Sequence, residues 1–270
     1  MKFFFALILS LGFSLVTMAS TRGLSAHRLY NESYEAARDR HFFIHNLGVP
    51  FPALGKIETA GRYVSAERAK KPLKNLDLNE IPDVGSLADL ENQFFYIRDT
   101  RFLATENANF PRRITWMYPD DGCYARAEVA KFELLNHHFP EPKKVFVFGN
   151  LSAASKNSPT GSVQWWYHVA VSYRVGDVAY VFDPALEPKR PLTMSEWHNL
   201  VGGNQTFVQY SICSHGTFDP AADCYQPRAI SQEDAVWEQK SFLKDEWNRI
   251  LELKRNPEQE LGNNPPWLKD

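Results

Sequence analysis

The chain has 270 residues, 44% of them hydrophobic and 23% charged, with 30 basic against 32 acidic side chains and a formal net charge of −2. That is enough apolar material for a real core, which excludes general disorder, and the even charge balance excludes the basic footprint of a nucleic-acid binder. A mean hydropathy of −0.40 excludes a polytopic membrane protein.

Met1-Lys2 leads into an apolar run from Phe3 to Val16 and then small residues ending at Ala19-Ser20. A short positive start, an apolar stretch and a small-residue end read as a secretory signal peptide, residues 1–19. The run is short for a spanning helix, and no Cys follows it to carry a lipid anchor. The expected location is therefore secreted or periplasmic, with no stable membrane association after cleavage. Ser25 to His45 reads as a helix with Leu29, Ala36, Ala37 and Phe43 as its apolar positions. Pro50, Pro52, Gly55 and Gly61 break the chain, and Arg68 to Lys71 followed by Pro72 reads as a basic linker suited to proteolytic release.

Pro119, Asp120, Asp121 and Gly122 precede an Ala-rich run and mark a helix start, so Cys123 falls in a first turn. Free N–H groups and the positive dipole end favour a thiolate there. Asp120 and Asp121 act in the opposite direction. Cys123, Ala127, Ala130 and Leu134 follow helical spacing, and Pro140 bounds the helix. Gly122 permits the turn before it.

Trp165 to Val175 alternates as a strand, and Val178 to Asp183 follows after Gly176-Asp177, a two-residue hairpin signal. That turn pairs Val175 with Val178 and, counting back, Ala170 with Asp183. His168 then lies one diagonal step from Asp183 on the same face. Trp165, Trp166, Tyr124 and Trp116 are the aromatic candidates for substrate contact.

Three cysteines allow at most one intramolecular pair. Cys213 and Cys224 are close in sequence within a polar, Gly- and Pro-punctuated segment, and a disulfide there would contribute on the order of 3 kcal/mol. Cys123 is then the free thiol. Ser231 caps a closing helix over 231–254, with Asp234 three residues later and Val236, Trp237, Trp247, Ile250 and Leu251 along one face. The tail from Asn256 onward reads as frayed.

The parts specify acyl transfer. A Cys123 thiolate attacks an acyl carbon, His168 shares its proton and later protonates the leaving group, and Asp183 holds the imidazole and its charge. The Cys123 backbone N–H assists the oxyanion. No Cys-x-x-Cys or His-Glu-x-x-His is present, so neither a metal nor another cofactor is called for.

Tyr118 to Ala127 resembles the nucleophile motif of bacterial secreted protein-glutaminases, the protein-glutamine deamidases. Ile81-Pro82-Asp83-Val84 resembles the start of the mature enzyme, and Phe148-Gly149-Asn150-Leu151 the segment before the His strand. Tyr167-His168-Val169-Ala170 and Phe182-Asp183-Pro184-Ala185-Leu186 resemble the His and Asp segments, with Trp197-His198-Asn199 near a similar Trp-containing element. The likeness spans roughly residues 80–225. It implies an α+β, papain/transglutaminase-like fold with the nucleophile at the N-terminus of a helix packed on an antiparallel sheet. It also implies hydrolysis of the side-chain amide of protein-bound Gln to Glu and ammonia. By position, Cys123, His168 and Asp183 take the roles derived above. The partners implied are proteins or peptides with exposed Gln, acted on by a monomer.

Two departures stand out. Glu128 occupies a position where the family often has His, and altered surface or substrate contacts are expected from it. The segment before residue 80 is shorter than the family's pro-region. The expected organisation is a leader (1–19), an N-terminal extension or pro-segment (20–78), a catalytic domain (79–230) and a C-terminal helix and tail (231–270). The same triad would also serve a transglutaminase or cysteine protease, and a non-catalytic secreted binding domain is the reading from a different class.

Overall fold

The computed structural model describes residues 25–47, 63–107 and 109–268. The leader, and the breakers Pro50, Pro52, Gly55 and Gly61, lie outside the described residues.

The first helix, α1, spans Tyr34–Leu47 and begins later than the sequence suggests. Residues 25–28 are extended because their backbone groups serve a sheet: Arg28 N–H donates to Gln164 O (3.0 Å) and Trp166 N–H to Ala26 O (3.0 Å). Ser33 then starts the helix, its hydroxyl accepting from the Ala36 N–H at 3.2 Å. Ala37 and His41 are buried, whereas Leu29 and Phe43 stay exposed.

Residues 63–71 are not a free linker. Lys71 and Tyr210 exchange both backbone hydrogen bonds at 2.7 Å, Cys224 N–H reaches Val64 O at 2.8 Å, and Ala66 is fully buried. Basic side chains signal solvent only when nothing nearby can pair with the backbone, and here a sheet edge does.

Helix α2 (Leu87–Asp99) is capped by Ser86 and buries Leu90, Phe94 and Ile97. Helix α3 (Cys123–Asn136) starts at Cys123 as expected. Gly122 sits at φ 76°, and a Cβ there would meet the Phe242 ring at 2.9 Å, so both backbone and packing require glycine.

The sheet has five antiparallel strands: β1 (Lys143–Ala154), β2 (Ser162–Val175), β3 (Val178–Phe182), β4 (Leu192–Thr193) and β5 (Val208–Cys213), in the order β4-β3-β2-β1-β5. Val175 pairs with Val178 and Val171 with Phe182, the register that the Gly176-Asp177 turn dictates. Helix α4 (Met194–Leu200) follows β4, started by a capping box between Thr193 and Glu196. Cys213 and Cys224 form the disulfide, and Cys123 is a buried free thiol.

The C-terminal region departs from expectation. Instead of one helix over 231–254 there are two, α5 (Gln232–Ser241) and α6 (Leu243–Glu252), hinged at Phe242. Ser231 does cap α5 through the Asp234 N–H. Phe242 turns inward against Gly122, and the change of direction leaves Trp237 and Leu251 exposed while Trp247 and Ile250 are buried. Nor is the tail frayed: α7 (Pro257–Leu261) buries Leu261, and Arg112 donates to the carbonyls of Asn263 and Asn264.

Helix α3 packs on β2 on one side and against α5 on the other, which is why it is buried nearly all round. The architecture is α+β: a helix beginning at Cys123 lies against an antiparallel sheet. That setting corrects the reading of Glu128. It is fully buried, pairs with Lys131 at 2.7 Å and with Lys144 of β1, and Lys144 also donates to Thr217 O (2.9 Å) inside the disulfide loop. Burial lowers the pKa of both lysines, and the Glu128 charge opposes the shift. Removing one member of a buried charge group leaves the others uncompensated. Glu128→Gln should therefore destabilise the protein by about 3–5 kcal/mol in urea unfolding.

Candidate active site

Three elements bring the predicted trio together. Cys123 opens α3, His168 lies within β2, and Asp183 follows β3. All three are buried, exposed by 1%, 1% and 3%. His168 Nε2 meets Asp183 Oδ2 at 2.7 Å. The hairpin register alone placed these two side chains in reach. The second ring nitrogen, Nδ1, is buried with no nitrogen or oxygen partner, and the Cys123 side chain interacts with the imidazole.

The electrostatics follow from burial and pairing. Burial acts to lower the pKa of His168, but the Asp183 charge and hydrogen bond, reinforced by Cys123, outweigh it and raise His168 to about 9. Burial likewise works against an ionised Asp183. The His168 charge and hydrogen bond, then the Trp197 hydrogen bond and the Arg126 charge, hold it below its ordinary value.

Trp197 and Arg126 were not recognised as site residues from the sequence. Trp197 Nε1 donates to the same Asp183 Oδ2 at 2.9 Å. The Trp197-His198-Asn199 likeness was its signal, without a role attached. Arg126 donates to Tyr118 O (2.9 Å) and Asp121 O (2.6 Å), tying down the loop that leads into Cys123. Its signal was its place one helical turn after Cys123. The acidic residues before Cys123 are engaged: Asp120 pairs with Arg249, and Asp121 Oδ1 accepts the N–H groups of Gly122 and Ala26.

The aromatic candidates divide. Trp165 is fully buried and stacks on His168, centroids 4.6 Å apart and planes 12° from parallel, while Nε1 donates to Pro119 O and Asp120 O. It positions the imidazole and the loop before Cys123. Trp166 is buried beneath the N-terminal segment, its Nε1 donating to Ser25 O at 3.1 Å. Tyr124 is buried among Phe218 and Phe242. Trp116 lines a cleft of about 720 Å³ that also reaches Pro184 and Ala185, next to Asp183.

A thiol, an imidazole and a buried carboxylate in this order are the parts of nucleophilic acyl transfer. Comparison with known proteins finds similarity over part of the chain. Residues 90–201 match the sequence profile of a family described as Glutaminase. No curated protein sequence matches the chain. Among solved structures, it is similar to a protein-glutaminase crystal structure (29% identity, TM-score 0.43), covering 62% of this chain and 88% of that one. A protein-glutaminase from Chryseobacterium proteolyticum solved by NMR gives 28% identity and a TM-score of 0.45, with 60% and 88% covered. A mutant of pro-protein-glutaminase gives 24% identity and a TM-score of 0.46. The match covers 64% of this chain and spans 63% of that longer one.

His168 is raised from 6.5 to about 9 in the folded chain. Its charged pairing with Asp183 therefore adds stability that is fully present below pH 6.5 and is lost as pH rises through about 9. Asp183→Asn removes the leading upward influence and leaves burial dominant. The His168 ring resonance in NMR should then titrate below 6.5 instead of near 9.

Proposed function

We propose that the chain, whose residues 90–201 match the family described as Glutaminase, is a secreted protein-glutamine deamidase that hydrolyses the side-chain amide of protein-bound Gln through a Cys123 thioester. The observation that carries this reading is the 2.7 Å His168–Asp183 contact beside a free Cys123 at a helix start.

The steps follow from the geometry. Cys123 passes its proton to His168 Nδ1, and the thiolate attacks the amide carbon of the Gln side chain. The Cys123 backbone N–H faces the developing oxyanion. His168, held charged by Asp183, protonates the departing nitrogen, the C–N bond breaks and ammonia leaves a thioester. Water then gives a proton to His168 and attacks the thioester carbon. The C–S bond breaks, the thiol regains its proton and Glu is released. Trp197 and Arg126 keep Asp183 ionised throughout.

The disulfide suits an oxidising compartment. The N-terminal region supports a finer division of the chain. Residues 25–28 pair with β2 at Gln164 to Trp166, and Ala26 N–H also donates to Asp121 Oδ1 at 3.1 Å. This strand thus bridges the His168 strand and the Cys123 loop. Residues 63–78, by contrast, are joined to β5 and the disulfide loop. Residues 25–47 are then the removable segment beside the site, and their departure would open the trio to the Gln side chain of a folded protein.

The test is ammonia release from casein by residues 25–270 and by residues 63–270, each beside its Cys123→Ala counterpart. The shorter chain should be at least about tenfold faster, with both activities abolished by Cys123→Ala and a mass gain of about one dalton per event. Cross-linked products would turn the reading to a transglutaminase and new chain termini to a protease. A folded, thiol-reactive protein without any of these products would favour a binding domain.

A further inference from the structure

Three loops that serve the site wall the 720 Å³ cleft. Residues 113–117 lead toward Cys123, residues 154–157 leave β1 on the way to β2 and His168, and residues 184–189 follow Asp183 directly. Through Pro184 and Ala185 the cleft adjoins the Asp183 end of the trio.

Charge in this cleft is unbalanced. Arg101, Arg113, Lys156 and Lys189 line it, and among the described residues none of them has a carboxylate within ion-pair distance. Of the carboxylates in the wall, Asp99 pairs with Arg98 and Glu260 with Arg255, while Glu187 accepts the Lys189 backbone N–H at 2.9 Å and leaves the cations in excess. Lys156 and Lys189 are exposed at the rim. Arg113 Nη1, and Trp116 Nε1 beside it in the wall, are buried with no acceptor. The Arg113 charge is also felt by buried Glu246, where burial is the larger influence. Unmet donors beside unpaired cations call for an acceptor-rich, negatively charged occupant. An even overall charge argues against a nucleic acid. The cleft's position argues for the substrate chain itself.

Resting on the deamidase reading, we propose that this cleft is a subsite for a carboxylate side chain flanking the target Gln, so that the enzyme selects Gln residues with acidic neighbours. Lys156 and Lys189 attract the carboxylate at the rim, and Arg113 and Trp116 supply donors deeper in the wall.

No residue of 25–47 lines the cleft, so the test uses residues 25–270 carrying Cys123→Ala. Fluorescein-labelled Gln peptides flanked by Asp, or by the isosteric Asn, are titrated and followed by anisotropy. The Asp peptide should bind about tenfold tighter than the Asn peptide. In Lys156→Glu/Lys189→Glu, a change at two exposed positions, the ratio should fall close to one. Equal binding of the two peptides, no binding of either, or a ratio unmoved by the double charge reversal would each overturn the subsite. Ammonia release from the same peptides by the chain with Cys123 intact and residues before 63 removed is read separately. An intact Asp preference in binding with no ammonia from any peptide would sink the deamidase reading and leave the anionic subsite standing.

Discussion

An ionised carboxylate taken out of water costs several kcal/mol unless its charge is met at close range. Asp183 imposes that demand on the whole centre of the molecule. It is met from three directions: by His168 across the β2–β3 hairpin, by the Trp197 indole from α4, and by the more distant Arg126 charge from α3. Each contributor fixes the element that carries it. The hairpin must keep its two-residue turn, since a one-residue slip would send His168 to the other face. The short β4 and the capping box at Thr193 deliver α4 so that Trp197 points back under Asp183. The nucleophile's helix is held at the same centre by its own buried charges and by the loop that Arg126 ties down.

What was legible in the sequence is what local chemistry decides. Gly176-Asp177 set the strand register, Gly122 and the residues before it set the helix start, and spacing picked out Cys213 and Cys224. All of these lie within a dozen or so residues of what they determine. The losses come from partners far along the chain. Glu128 looked like a surface charge because nothing local announces that Lys144 of β1, itself bonded to Thr217 of the disulfide loop, meets it in the core. The break at Phe242 was hidden for the same reason, since its cause is a ring seated against Gly122. Trp197 had a resemblance but no role, because reaching Asp183 requires β4 and α4 to fold back first.

The aromatic residues illustrate how one residue type serves different ends. Trp165 lies flat on the imidazole while its indole N–H holds two carbonyls of the neighbouring loop. Trp166, next in sequence, packs with Tyr34, His41 and Phe148. The register irregularity of β1 between Phe148 and Leu151 lies opposite these two residues, and their ring partners separate them: one steadies the site while the other anchors the N-terminal segment.

The same pairings settle how the sheet ends. A strand edge with unpaired N–H and C=O groups is a template for another chain, and proteins blunt such edges. Here β4, at one margin, is only two residues long, and Lys71 closes the middle of β5 at the other. Part of the stretch of β2 that β3 does not reach, Gln164 to Trp166, is taken by residues 25–28. Runaway strand addition between copies therefore has no long foothold, and the one edge that opens when residues 25–28 depart is a few residues long, bounded by the catalytic strand itself.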